Sequence, residues 1–337
     1  MTIPLYITHR TRHVRLENGG IVVDSVDESG REKTDRVLLR DVSRVIVSGS
    51  PHITLPVLKS FCRAGIPLAL VSGKGAWFGE LSGACTADGA RRVAQYRCAA
   101  AGEEARMRFA GPAIAAKIAN QRFVLRRLAQ RSGNDISETA ARLRRLKAAA
   151  RHANTLAELR GIEGAASAVY FAALAPFFPQ ETPFHGRSRR PPRDAGNALI
   201  SFVYTVLASE LEFAVRAHGL DPALGFMHEA LPGRPALALD LLEPFRPAAD
   251  AFALSLLRRK ILAVEHFRED GAEGVYLKDD AHAKFFGHYE KAVSREASPD
   301  AARRGVSLRQ ALERQVFRFV DALTDSSLRP EFFRLPA

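Results

Sequence analysis

Ile114-Ala115-Ala116-Lys117-Ile118-Ala119-Asn120-Gln121-Arg122-Phe123-Val124-Leu125-Arg126-Arg127-Leu128 is the stretch on which the fold class turns. Ile114, Ile118, Leu125 and Leu128 recur at spacings of three, four and seven, the period of one apolar helix face, and Lys117, Arg122, Arg126 and Arg127 fall on the other faces. The same texture, rich in Ala, Leu, Arg and Phe, runs on from about Gly89 and predicts further helices over 136–149, 155–175, 195–218, 247–264 and 307–325. Upstream the pattern is different. Short β-branched segments at 5–8, 13–16, 21–26, 36–39 and 45–48 are punctuated by Gly, Asp and Ser, and Val42-Ser43-Arg44-Val45-Ile46-Val47-Ser48 alternates with the period of a half-buried strand. A helix is expected over 55–63, ended by Gly65, and strands at 67–71 and around Trp77, Phe78 and Leu81. The predicted class is α+β, with a small, mainly β domain at 1–88 followed by a larger all-α domain at 89–337.

Composition narrows what such a chain does. With 47% hydrophobic and 26% charged residues among 337, it can bury a core and is not intrinsically disordered. The longest mostly apolar stretch, 165–178, contains Ser167 and Pro176 and falls short of the roughly 18 residues of a membrane span, so no membrane role is expected. The N-terminus lacks the basic-then-apolar order of a signal peptide, and Cys62, Cys85 and Cys98 form no CxxC or finger spacing; both point to the cytoplasm. There are 49 Lys and Arg against 37 Asp and Glu, a net +12. Residues 101–160 alone carry 13 basic against 5 acidic side chains, and Arg187, Arg189, Arg190 and Arg193 cluster in the Gly/Pro-rich loop at 179–193. Solvated helix faces are the ordinary reading of such runs; so large an uncompensated surplus points to a polyanion such as nucleic acid.

Carboxylates and imidazoles set in apolar sequence are the places to seek chemistry, since charge there is costly unless paired or bound to a metal. Glu163 lies in Leu159-Arg160-Gly161-Ile162-Glu163-Gly164-Ala165-Ala166, with small or apolar neighbours downstream. His228 closes Leu224-Gly225-Phe226-Met227-His228, and Asp240 and Glu243, three apart, share one helix face in Leu239-Asp240-Leu241-Leu242-Glu243-Pro244-Phe245-Arg246-Pro247. Each has a structural alternative. Asp240 as N-cap with Glu243 at the third position matches a capping box, Glu163 suits an exposed helix, and His228 is one of ten histidines.

In this order these segments resemble the CRISPR-associated adaptation integrase family, Cas one. The likeness includes Lys117-Ile118-Ala119-Asn120-Gln121-Arg122, Gly161-Ile162-Glu163-Gly164, the loop Phe184-His185-Gly186-Arg187-Ser188-Arg189-Arg190-Pro191-Pro192 leading into Asn197-Ala198-Leu199, Gly225-Phe226-Met227-His228, and the stretch around Asp240 and Glu243. Its length and the Ala94-Gln95-Tyr96-Arg97 entry to the helices look most like type I-C versions. The resemblance implies a metal-dependent DNA endonuclease and integrase that inserts spacer DNA into the CRISPR array by 3′-hydroxyl attack. Its metal ligands map onto Glu163, His228 and Glu243, with Asp240 an accessory acid, Glu243 standing where an aspartate is common, and Mg²⁺ or Mn²⁺ the expected ion. Lys117, Arg122, Arg126, Arg187, Arg189 and Arg190 are the expected DNA contacts, with Asn197 and Tyr204 in support. The implied partners are double-stranded DNA (protospacer and CRISPR repeat), a second copy bound through the β domain, and the small dimeric protein Cas two. A nuclease acting on branched DNA and a catalytically idle DNA-binding subunit are the alternative readings.

Overall fold

The computed structural model describes residues 3–8, 10–27, 30–71, 77–81, 83, 89–188, 191–271, 274–295 and 306–335. Its first part is built of strands β1 (Ile3–Ile7), β2 (Thr11–Glu17), β3 (Gly20–Val26), β4 (Glu32–Leu38), β5 (Val42–Val47), β6 (His52–Ile53), β7 (Leu68–Val71) and β8 (Trp77–Leu81), with helix α1 (Leu55–Arg63) before β7. Asn18 and Gly19 take φ of 50° and 75°, the left-handed pair that a two-residue hairpin turn demands, and so set Glu17 opposite Gly20 between β2 and β3. Two four-stranded sheets result, ordered β1-β5-β7-β8 and β4-β3-β2-β6. The stretch read as half-buried is β5, which lies between β1 and β7 and is buried on both faces, Arg44 and Ile46 included; Val45 and Val47 join Ile7, Val14, Ile21, Val57 and Phe61 in one buried cluster. β4 starts at Glu32 rather than 36 because its first residues are polar. As an edge strand it has no need of apolar alternation, and Thr34 Oγ donates to Asp24 Oδ1 across the ladder at 2.8 Å.

The rest of the chain contains α2 (Gly89–Ala100), α3 (Glu103–Ser132), α4 (Ser137–His152), α5 (Leu156–Leu174), α6 (Ala195–Ala217), α7 (Ala236–Leu242), α8 (Arg246–Arg258), α9 (His282–Ser294) and α10 (Leu308–Thr324), with a small β9–β10 ribbon (Phe267–Glu269, Val275–Leu277). α3 is the spine. It buries Ile114, Ile118 and Leu125, and a Cβ added at Gly111 would stand 3.0 Å from the Ala150 carbonyl, so α4 packs close upon it. Its end is set by Gly133 at φ 75°, whose N–H donates to Ala129 O at 2.8 Å. Thr155 caps α5, Asp194 caps α6, and Ser307 with Gln310 forms the capping box of α10. The helix expected over 247–264 ends at Arg258, where Lys260 turns to φ 54°. Among the described residues α6 is the one helix long and apolar enough to cross a bilayer, with mean hydropathy 1.6 over its best window, yet 72% of that window is buried inside the protein, as in a core helix.

The chain forms two compact units, Met1–Thr86 with Leu277–His288, and Ala87–Tyr276 with Tyr289–Ala337. In the first, Phe286 stacks on Tyr6 with ring centroids 4.5 Å apart. Every residue of the candidate site belongs to the second.

Candidate active site

The polar residues inside the apolar face of α3 determine the site. Lys117 falls between Ile114 and Ile118 on the buried side of the helix, and its side chain is 5% exposed. Its ammonium donates to Glu163 Oε1 from α5 and lies 2.7 Å from Glu243 Oε2, in the turn joining α7 to α8. Lys117 was expected among the DNA contacts on the solvated faces; it is instead an internal cation, because two carboxylates reach it in the core. Ser167, one turn along α5, donates to Glu163 Oε1 at 2.9 Å. Arg246 Nε donates to Glu243 Oε1 at 2.8 Å and its guanidinium lies 4.5 Å over the Tyr204 ring. Glu243 Oε2 is itself buried against the Lys117 ammonium.

These charges set the ionisation of the site. Burial pushes the Glu163 carboxyl up, but Lys117 and the Ser167 hydroxyl more than offset it and leave it below the usual range. Burial opposes ionisation of Glu243 too, and Arg246, Lys117 and His228 together hold it well below.

Asp240 is not the N-cap of a capping box. It lies inside α7, fully buried, and its carboxylate fastens the turn that carries His228. Oδ2 accepts from the N–H of Phe226 at 2.6 Å and of Met227 at 2.8 Å; Oδ1 accepts from His228 N–H at 3.0 Å and contacts the imidazole Nδ1. An ionised carboxylate only accepts, so Nδ1 faces it as N–H, and in the neutral ring the Nε2 lone pair is left for another partner. Gly225 makes the approach possible, since a Cβ there would stand 2.3 Å from Asp240 Oδ2.

Tyr204 and Asn197 act a layer further out. Tyr204 Oη donates to Asp250 Oδ1 at 2.6 Å, and burial pushes Asp250 up to about 6. Asn197 binds Gly186 O at 2.7 Å and Asp194 Oδ2 at 2.8 Å through Nδ2, and accepts at Oδ1 from Ser188 N–H and Arg187, both at 2.9 Å. Arg187 is therefore turned inward, donating also to Ser201 Oγ at 3.0 Å. Arg189 and Arg190 lie outside the described residues.

Arg122, Arg126 and Arg127 line a cavity of about 450 Å³ together with Phe123, Gln130 and Arg334. Burial, and then Arg151, Arg334 and Arg122, depress the Lys147 ammonium, so six cations of α3, α4 and the tail crowd one region. Among the described residues none of the six has a carboxylate partner. The C-terminal tail that supplies Arg334 is tied down. Asn120 Nδ2 donates to Pro244 O at 2.7 Å and Phe333 O at 3.0 Å, its Oδ1 accepts from Leu335 N–H, and Phe333 stacks on Phe245 at 4.2 Å.

Of the expected ligands, Glu163 and Glu243 meet on Lys117 and His228 is held on Asp240; among the described residues no three acidic, imidazole or thiol groups converge closely enough to form a metal cage as they stand. Arg246 and Ser167 were missed as site residues, and Lys117 was assigned to DNA rather than to the two glutamates. The signal was present, because Lys117 and Gln121 share the stripe of Ile114, Ile118 and Leu125, and Arg246 follows Glu243 at helical spacing.

A strand-rich unit joined to a helical one, which gathers two carboxylates and an oriented imidazole near a basic cavity, defines a class of mixed α+β proteins with an acidic, histidine-bearing centre. The family described as CRISPR associated protein Cas1 matches residues 5–291, and the chain belongs to it. CRISPR-associated endonuclease Cas1 3 of Thermus thermophilus is 34% identical over 294 residues, covering 85% of this chain and 83% of that protein. A CRISPR-associated exonuclease Cas4/endonuclease Cas1 fusion of Rhodospirillum rubrum is 36% identical over 330 residues; the match takes in 94% of this chain, which spans 56% of that longer relative. A casposase bound to integration product superposes with a TM-score of 0.84 at 21% identity, over 100% of this chain and 94% of that one. A chain of a Cas6-RT-Cas1–Cas2 complex does so at 0.79 and 22%, over 100% of this chain and 36% of that one. At these identities the structural likeness is one of fold.

Proposed function

We propose that this chain is a metal-dependent DNA endonuclease and integrase that inserts spacer DNA into a CRISPR array. The observation that carries this reading is the meeting of Glu163 and Glu243 on one buried cation, with the His228 imidazole fixed in orientation by Asp240. A hard divalent ion takes carboxylate oxygens with an occasional imidazole, and two glutamates already drawn together on one cation suit it; the donors fit Mg²⁺ or Mn²⁺, with Glu163, Glu243 and His228 Nε2 as ligands. When bound, such an ion supplies charge to polarise a phosphodiester and to ease deprotonation of a hydroxyl.

The chain's own residues do the rest. Asp240 fixes the imidazole tautomer, Ser167 and Arg246 aim the carboxylates, and Tyr204 backs Arg246. The cations at Arg122, Arg126, Arg127 and Arg334 hold DNA backbones, giving affinity rather than sequence choice. In the reaction a spacer 3′-hydroxyl attacks a repeat-boundary phosphodiester: one P–O bond forms, one breaks, and the displaced strand leaves as a 3′-hydroxyl, so no energy source is needed. The partners of this reading are protospacer and repeat duplexes, a second copy of the chain, and Cas2, with which one structural relative is assembled.

The test is strand transfer of a short duplex into a supercoiled plasmid bearing a CRISPR repeat, with Cas2 and Mg²⁺ or Mn²⁺, for wild type and His228→Ala. Joined products that need metal and vanish in the variant are expected. Cleavage without joining would favour a nuclease, and binding with neither an idle subunit.

A further inference from the structure

Without a metal the site's charges are nearly balanced. Glu163, Glu243 and Asp240 stand against Lys117 and Arg246, so a divalent ion entering this buried set would leave a surplus positive charge unless one cation gave way. The two cations are not equally able to move. Arg246 has Nε on Glu243 Oε1 and its guanidinium over Tyr204, whereas the Lys117 ammonium ends a flexible four-carbon stem and, among the described residues, has just the two carboxylates as partners. It also stands where both glutamates converge, so a shared ion and the ammonium would contend for the same oxygens.

Resting on the metal-dependent reading of these carboxylates, we infer that Lys117 is a placeholder cation: it holds Glu163 and Glu243 together in the metal-free chain, yields its position when the ion binds, and so sets the concentration at which metal loads. Lys117 is here a positioning residue, acting through the two glutamates. A cation that stays on both carboxylates in either state would be a fixed structural element, with the opposite consequence for metal affinity.

The experiment uses the full chain with Lys117→Met, which keeps the stem and removes the charge. Mn²⁺ binding is read by paramagnetic resonance of the free ion, and thermal unfolding is followed over a Mn²⁺ series. The variant should melt lower than wild type without metal, bind Mn²⁺ about tenfold more tightly or better, and recover wild-type melting at saturating Mn²⁺. Equal or weaker Mn²⁺ binding, or a melting deficit that persists at saturation, overturns the inference. A variant that folds poorly alone is prepared in Mn²⁺, and failure to fold there overturns it too. Glu163→Gln separates this from the metal reading: if it binds Mn²⁺ as wild type does, both fall, whereas if it loses Mn²⁺ and Lys117→Met gains none, the lysine inference falls alone.

Discussion

Replacing Asp240 by Asn keeps the shape of a fully buried side chain and removes one of its two acceptor ends. The carboxylate accepts three backbone N–H groups, from Phe226, Met227 and His228, and faces the Nδ1 proton of the imidazole. If the amide carbonyl keeps Phe226 and Met227, its NH₂ confronts the His228 N–H and forces Nδ1 to accept, moving the ring proton to Nε2. If it flips, two backbone donors lose their acceptor. Either way one or two buried donors are orphaned, at about 1–3 kcal/mol each, so Asp240→Asn should destabilise the chain by about 2–4 kcal/mol. Urea unfolding of metal-free protein measures this, and nitrogen NMR of the imidazole reads the tautomer. Mn²⁺ affinity should drop as well, since a protonated Nε2 is no ligand. A variant within about 0.5 kcal/mol of wild type, with the proton still on Nδ1, would refute the reasoning.

Asp250 gives a pH prediction of definite sign. Its carboxyl titrates at about 6 when folded against 3.8 for an ordinary aspartate, so the folded chain holds this proton more tightly; the stabilisation is complete below about pH 4 and is lost as pH rises through about 6. Wild type should therefore lose about 2 kcal/mol relative to Asp250→Asn between pH 4.5 and 7.5 in urea titrations, and a constant difference would contradict the assignment. Glu163 and Glu243 have the opposite sign, contributing above about pH 4.5 and losing it on acidification, so this window avoids them. For the basic cavity, Arg122, Arg126, Arg127 and Arg334 changed together to Gln should lower the slope of log affinity for duplex DNA against log salt by about 3–4, measured by fluorescence anisotropy, and an unchanged slope would remove the cavity from the DNA path.

Strong periodicity made much of this molecule legible. Ile114, Ile118 and Leu125 announced α3, Val42 to Ser48 announced β5, and caps such as Thr155 and Asp194 mark starts that fall within a residue or two of the expected ones. What stayed hidden is tertiary. β4 begins in a polar edge that carries no apolar signal, and Leu277–His288 belongs with the first unit although nothing in its sequence points there. At the site, residue types were readable but partners were not. Lys117 looks like any helix lysine until two glutamates from other elements reach it, and Asp240 looks like a cap until the turn at Phe226 to His228 folds back on it. The tail residues Phe333 to Leu335 offered no pattern, because what holds them is Asn120 and Phe245, far away in sequence.

The most direct test of the central claim, that Glu163, His228 and Glu243 form one metal centre, is an anomalous difference map from crystals soaked in Mn²⁺. The account predicts a peak within roughly 2.0–2.3 Å of a carboxylate oxygen of each glutamate and of His228 Nε2, with the Lys117 ammonium drawn away. A map without a peak there, with Lys117 still bridging the two carboxylates at saturating Mn²⁺, would contradict it.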